Sequence, residues 1–199
     1  GIICGVGREK ASWMGSVYNK IKRTPLNKFA LPGSHDAGAY PAIETRSQAQ
    51  NKSIAEQLLA GFRYFDFRVK VNDGTYYAVH GADNTDHDYT AVKKVAGKKY
   101  LFDDIANFLK AHNHELVILN FSHFTAHAGQ SFNPTDAKNL VKLLQQHFLN
   151  MLVPRLWTAN VTYEKCIDQG WQVVAIIDDD DNWYNYPPNT PEGKKERKN

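Results

Sequence analysis

Short apolar runs alternate along the chain with stretches in which apolar residues recur at spacings of three and four. The runs fall at 28–32, 63–69, 75–79, 115–121 and 172–177, and their length and their β-branched or aromatic content mark them as strands. Between them, Ser53-Ile54-Ala55-Glu56 has the capping-box pattern that opens a helix. Gly61 is placed to end that helix and deliver the chain into the 63–69 run. Asn133-Pro134 opens a longer helix in which Ala137, Leu140, Val141, Leu144, Phe148 and Met151 share one apolar face, a packing face. Strands alternating with helices predict an α/β fold of parallel strands joined by crossover helices.

Composition narrows the class. With 42% hydrophobic and 23% charged residues in 199, the chain reads as one globular domain. No run approaches the ~18 apolar residues of a membrane span, so any membrane contact is expected to be peripheral. The net charge is +3, and much of it sits at the end, where Lys194, Lys195, Arg197 and Lys198 outweigh Glu192 and Glu196. A nucleic-acid partner therefore has no broad basic surface to read. Cys4 and Cys166 are the only cysteines and stand too far apart in sequence for a metal-type pair. The opening GIICGVGREK is too short and too quickly charged for an intact signal peptide, which fits a removed leader or a fragment. Asn51-Lys52-Ser53 and Asn160-Val161-Thr162 match the glycosylation acceptor pattern, a triplet that often arises by chance.

The candidate chemistry lies in three segments. LPGSHDAGAY at 31–40 supplies His35 and Asp36, RYFDFRV at 63–69 supplies Asp66 and Arg68, and YAVHG at 77–81 supplies His80. Each falls at or just beyond an expected strand end, where one site can collect all five. Two imidazoles, titrating near ~6.5, can take a proton from an attacking group and give one to a leaving group. An arginine adds a permanent fork of donors suited to phosphate oxygens.

These segments resemble the catalytic X domain of phosphatidylinositol-specific phospholipase C, in the form found in bacterial secreted enzymes and X-domain-only proteins. The resemblance extends through IAEQLLAGFRYFDFRV at 54–69, FDDIANFLKAHNHELVILNF at 102–121 and QGWQVVAIIDDDD at 169–181. It implies a TIM-type (β/α) barrel with its chemistry at the C-terminal strand ends. A complete barrel has eight strands and typically ~250 residues, so an incomplete C-terminus is expected. The implied organisation is an N-terminal segment 1–24, a partial catalytic barrel 25–186 and a polar, disordered tail 187–199.

The implied reaction cleaves a phosphoinositide-type phospholipid at a membrane surface into diacylglycerol and a cyclic inositol phosphate. By resemblance His35 is the general base, His80 the general acid, Arg68 the phosphate ligand, Asp36 the residue that orients the acid, and Asp66 the brace of Arg68. In the eukaryotic signalling enzymes of the superfamily, calcium is held by an Asn after the first His and by acids on the next strand. Here Asp36 and the pair Asp66, Arg68 stand instead, which implies a metal-independent site, with Ca2+ the alternative. Ser122 and Asp178 fall where the family presents basic residues to the headgroup, which puts phosphatidylinositol itself in question. A monomer that is secreted or extracellular is implied, with a cytoplasmic location the alternative. Two other readings are a cation-dependent glycerophosphodiester or sphingomyelin-type phosphodiesterase, and a catalytically silent headgroup-binding module.

Other polar clusters have simpler readings. Asp83, Asp86, His87 and Asp88 lack EF-hand spacing and read as a solvated loop. His112 and His114 flank a helix end, where a cation favours the dipole. His123 and His127 follow an expected strand end near the cleft, where one of them is placed to touch substrate. Asp178 to Asp181 crowd like charges, so that run is expected to be solvated. Trp183, Tyr184 and Tyr186 suit a polyol ring, a lipid interface or simply a packed loop.

Overall fold

A computed structural model describes residues 8–40, 48–80, 87–88, 100–154 and 160–178. Six strands form one sheet: β1 (Gly33–Ser34), β2 (Tyr64–Asn72), β3 (Thr75–Val79), β4 (His87–Asp88), β5 (Val117–Ala126) and β6 (Val173–Ile177). Their order is β4-β3-β2-β5-β6, with β1 beside the start of β2. The pairs β1/β2, β2/β5 and β5/β6 are parallel. The pairs β2/β3 and β3/β4 are antiparallel. The expectation of an α/β fold built on a parallel sheet holds, but the described residues form an open mixed sheet and do not close a barrel.

Seven helices accompany the sheet among the described residues. Short turns α1 (Arg8–Ala11), α2 (Trp13–Ser16) and α3 (Tyr18–Ile21) come first, then α4 (Ile54–Leu59), α5 (Leu101–Ala111), α6 (Pro134–Phe148) and α7 (Tyr163–Gln169). The helix starts expected at Ser53 and Asn133 both form reciprocal capping boxes, with Glu56 and Asp136. Each box satisfies two backbone donors that the first helical turn leaves without partners.

Strand β2 explains why the sheet has two unlike faces. Its burial alternates strictly, as a period of two requires. Phe65, Phe67 and Val69 are completely buried in a core shared with Leu58 of α4, Phe102 and Ile105 of α5, Leu140 and Phe148 of α6, and Phe121 of β5. Phe67 and Phe121 stack at 5.7 Å between centroids, and Phe102 meets Phe121 edge-on at 6.1 Å. Burial of each such side chain contributes roughly 1.5–3 kcal/mol. The alternate residues Tyr64, Asp66 and Arg68 occupy the other face. There β2 pairs Asp66 with Asn120 and Arg68 with Ser122.

Three strand expectations are corrected. The run 28–32 is not a strand: Leu26–Lys28 is a 3-10 turn, and pairing starts only at Gly33. Pro32 has no N–H to give a ladder and serves instead as acceptor for the Arg63 and Tyr64 amides. The run 75–79 has the expected bounds but returns antiparallel beside β2. It does so through Asp73 and Gly74, with φ of 47° and 73°, a two-residue turn of positive φ whose twist matches the right-handed twist of the paired strands. Arg68 consequently lies within β2 and not at its end. Finally β5 runs on to Ala126, so His123 is inside a strand, at a point where the β2/β5 register shifts. In the cluster at 83–88 only His87 and Asp88 are described, as strand β4. The aromatic cluster 183–186, Asp179 to Asp181 and the tail 187–199 lie outside the described residues.

At the N-terminal end of the parallel strands sits a fully buried ion pair. Arg63 is 0% exposed; its Nε and Nη2 donate to Glu115 Oε2 at 2.9 and 2.7 Å. The remaining donors reach the carbonyls of Leu58, Phe62 and Ala11, and the guanidinium lies over the Phe108 ring at 4.9 Å. Glu115 Oε1 accepts from the Gly15 amide at 3.0 Å, which ties α2 to this end. Burial pulls the Arg63 guanidinium below its usual range, against the charge of Glu115. Removing one member of such a pair strands a buried charge. Glu115→Ala should therefore destabilise the protein by about 3–5 kcal/mol, read as a fall in the denaturant midpoint. Arg63→Met combined with Glu115→Leu should recover a large part of that loss.

Candidate active site

Site construction begins with the turn after β1. Asp36 has φ of +46°, a conformation that aspartate tolerates better than most residues. The turn is pinned by Ala37 N–H donating to Asp66 O at 2.8 Å and Ala39 N–H donating to Asp36 O at 2.8 Å. Gln57 of α4, 2% exposed, donates Nε2 to Ala37 O at 2.9 Å and accepts from Ser34 Oγ at 2.7 Å. Gln50 Nε2 donates to His35 O at 2.6 Å. These glutamines and Ser34 support the turn from behind, and sequence reasoning missed all three. The one available signal was that Gln57 lies in the first turns of a capped helix leading to the Asp66 strand.

Gly38 has a steric reason to be glycine. A Cβ there would sit 2.3 Å from the Ala78 Cβ of β3. The close approach lets the returning hairpin strand lie against the turn and brings His80 toward Asp36.

Asp36 is the meeting point. Its carboxylate, only 1% exposed, lies with Oδ1 at 2.6 Å from Arg68 Nε. Its Oδ2 lies 3.2 Å from His35 Nε2 and 3.4 Å from His80 Nε2. Asp66 Oδ2 takes the other side of His35, at 2.7 Å from Nδ1. The structure thus brings His35, Asp36, Asp66, Arg68 and His80 together, as expected. Asp36 faces Arg68 and both histidines, and Asp66 engages His35, a denser arrangement than one acid per cation.

The two expected headgroup residues also reach this face. Ser122 Oγ lies 3.4 Å from Asp66 Oδ1 and 2.9 Å from His123 Nδ1. Asp178 donates its amide to Phe121 O at 2.8 Å at the end of β6. Tyr64 couples the two sides: burial, then Asp66 and Asp178, push its phenol above the ordinary range.

His35, Asp36 and Asp66 each offer a ligand atom, all within 4.8 Å of one another. That spacing could seat a cation, but the Arg68 guanidinium already lies against Asp36, and two like charges a few ångströms apart repel. Elsewhere, His112 caps α5 with Nδ1 at 2.8 Å from Phe108 O, and Cys166 is core, its thiol pushed up to about 11 by burial. Among the described residues no helix is long and apolar enough to cross a membrane.

No family model matches the chain. It is 29% identical to human PI-PLC X domain-containing protein 2, over 83% of this chain and 59% of that protein. It is 29% identical to the mouse protein of the same name, over 83% of this chain and 53% of that one. The chain spans a little over half the length of these curated relatives. Among solved structures, a variant of phosphatidylinositol-specific phospholipase C from Staphylococcus aureus superposes with a TM-score of 0.64 at 20% identity, covering 86% of this chain and 54% of that one. The Listeria monocytogenes enzyme superposes with a TM-score of 0.57 at 20% identity, over 85% and 57%. The chain is similar in sequence to the PI-PLC X domain-containing proteins, and its α/β fold with parallel strand pairs is similar to that of the bacterial phosphatidylinositol-specific phospholipases C.

Proposed function

We propose that the chain carries the catalytic half-sheet of a phosphodiesterase that cleaves a phosphoinositide-type phospholipid at a membrane surface without a metal. The observation that carries this reading is the convergence of Arg68, His35 and His80 on one buried carboxylate, Asp36. A carboxylate so placed holds two imidazoles and a guanidinium within the span of one phosphate group.

The chemistry follows from the contacts. His35 Nδ1 lies 2.7 Å from Asp66 Oδ2; an Nδ1–H donated there leaves the lone pair of the neutral imidazole on Nε2, so substrate must displace the Asp36 carboxylate from its 3.2 Å contact with that atom. Nε2 is then the atom that takes the proton from an attacking hydroxyl, substrate replacing Asp36 as its neighbour. As that proton leaves, the hydroxyl oxygen forms a bond to phosphorus and the bond to the diacylglycerol oxygen breaks. His80, held by Asp36, gives a proton to the departing oxygen. Arg68 offsets charge growing on the non-bridging oxygens, and because Asp36 holds it in place no reorganisation is needed during the step. The products are diacylglycerol and a cyclic inositol phosphate. Ser122 and Asp178 supply a hydroxyl and a carboxylate for headgroup hydroxyls.

Two outcomes test the proposal. In the full-length protein, His35→Ala and His80→Ala should each reduce turnover of phosphatidylinositol by roughly 10² to 10⁴, with circular dichroism unchanged. A loss below about tenfold for both variants would sink the assignment.

Arg68→Lys should also impair turnover, because a point ammonium cannot make two parallel hydrogen bonds to phosphate. Wild-type activity should persist in excess chelator. Activity abolished by chelator and restored by calcium would instead place the chain with the cation-dependent phosphodiesterases.

A further inference from the structure

The acid–base arrangement leaves one feature of β5 without a purpose. Pairing with β2 joins Arg68 to Ser122 and then Lys70 to Thr125, so β5 carries one residue more than β2 over that interval. Such a bulge lets two neighbours share a face that alternation would deny them, and bulges next to sites re-aim side chains. Phe121 and Phe124 both pack with the helix-side core. Ser122 and His123, between them, are joined side chain to side chain at 2.9 Å.

His123 also has φ of +51°. That region is sterically unfavourable for a residue with a Cβ, and such outliers persist where the surroundings impose them, often at sites. Nothing in the core requires this histidine, since its side chain is exposed.

The contact with Ser122 occupies Nδ1 of His123. Ser122 Oγ also lies 3.4 Å from Asp66 Oδ1, and its one hydroxyl proton can serve only one of the two contacts. Donated to Asp66, that proton leaves the 2.9 Å contact to the His123 Nδ1–H; donated to His123, it leaves the ring proton on Nε2. Nε2 of the neutral ring is thus an acceptor in the first arrangement and a donor in the second. That atom has no protein partner among the described residues. Through Asp66 the chain continues to His35 Nδ1 at 2.7 Å, which places His123 two side chains away from the proposed base.

We propose that His123 is a headgroup-contacting residue, whose Nε2 hydrogen-bonds a ring hydroxyl of a polyol headgroup other than the hydroxyl that attacks phosphorus. This rests on the diesterase reading above and names the group that holds the substrate's far side. Ser122 is then chiefly the residue that orients His123, and Asp66 couples headgroup position to the base.

The experiment uses His123→Asn, since asparagine tolerates positive φ and preserves the bulge. Two chromogenic diesters separate the roles: 4-nitrophenyl myo-inositol 1-phosphate, and 2-hydroxyethyl 4-nitrophenyl phosphate, which carries only an attacking hydroxyl. The ratio of kcat/KM for the first to that for the second should fall about tenfold in the variant, through KM, as loss of one hydrogen bond predicts. An unchanged ratio overturns the inference, whether both rates fall together or neither does. Imidazole nitrogen NMR of the full chain titrated with myo-inositol gives a readout that needs no turnover. The signal absent in His123→Asn should move on titration. If neither diester is cleaved and the signal moves, the diesterase reading falls and the headgroup contact stands. If neither is cleaved and the signal stays still, the headgroup contact falls as well.

Discussion

The arrangement of this face depends on one buried carboxylate. Asp36, 2% exposed, would be costly to bury alone, and it is met by a guanidinium at 2.6 Å and two imidazoles at 3.2 and 3.4 Å. Burial of such a charge is tolerable only where partners are built around it. That requirement binds three separate chain segments to one point: the turn after β1, the middle of β2 and the end of β3. The features that look incidental elsewhere serve it. The Asp73-Gly74 hairpin returns β3 to the level of Arg68, Gly38 removes the methyl that would hold the hairpin away, and Gln57 fixes the turn backbone.

A second buried charge, at the opposite end of the strands, has a different role. Arg63 and Glu115 saturate one another and the surrounding carbonyls, and neither has more than 1% exposure. It cross-links β2, α2 and the segment entering β5. At the Asp36 end, by contrast, the partners remain open: the His35 side chain is 71% exposed and that of His80 34%. One end of the sheet is therefore closed by electrostatics that water cannot enter, and the other presents its charges to a ligand. A rigid base under an accessible site is what preorganised catalysis requires.

How far the sequence disclosed this depends on the range of each interaction. Helix starts at Ser53 and Asn133 were readable, because a capping box is written within four residues. The five central residues were readable from their motifs and their family resemblance. The pairing among them was not, since whether Asp36 or Asp66 faces a given cation depends on strand register. The hairpin has a local signal in Asp73-Gly74, but the alternation of strands and helices predicts parallel order, and the apolar run that stops at residue 69 puts Arg68 at a strand end although β2 continues to Asn72. The β5 bulge had no signal at all: an extra residue is defined only against its partner strand, and the Arg68 to Lys70 interval of β2 carries no mark of it. For that reason the sequence puts His123 beyond a strand that in the structure contains it.

The central claim is that Asp36 acts as the common counter-ion that holds base, acid and phosphate ligand in one geometry. Its most direct test is kcat/KM for phosphatidylinositol in mixed micelles, wild type against Asp36→Asn, a change that keeps shape and removes charge. Removing the one carboxylate charge that a guanidinium and two imidazoles share should lower kcat/KM by roughly a hundredfold or more, the scale of losing one preorganised electrostatic group, in a protein that still folds. A value within about threefold of wild type would contradict the account, because it would mean that the two histidines and Arg68 find their positions without the carboxylate they surround.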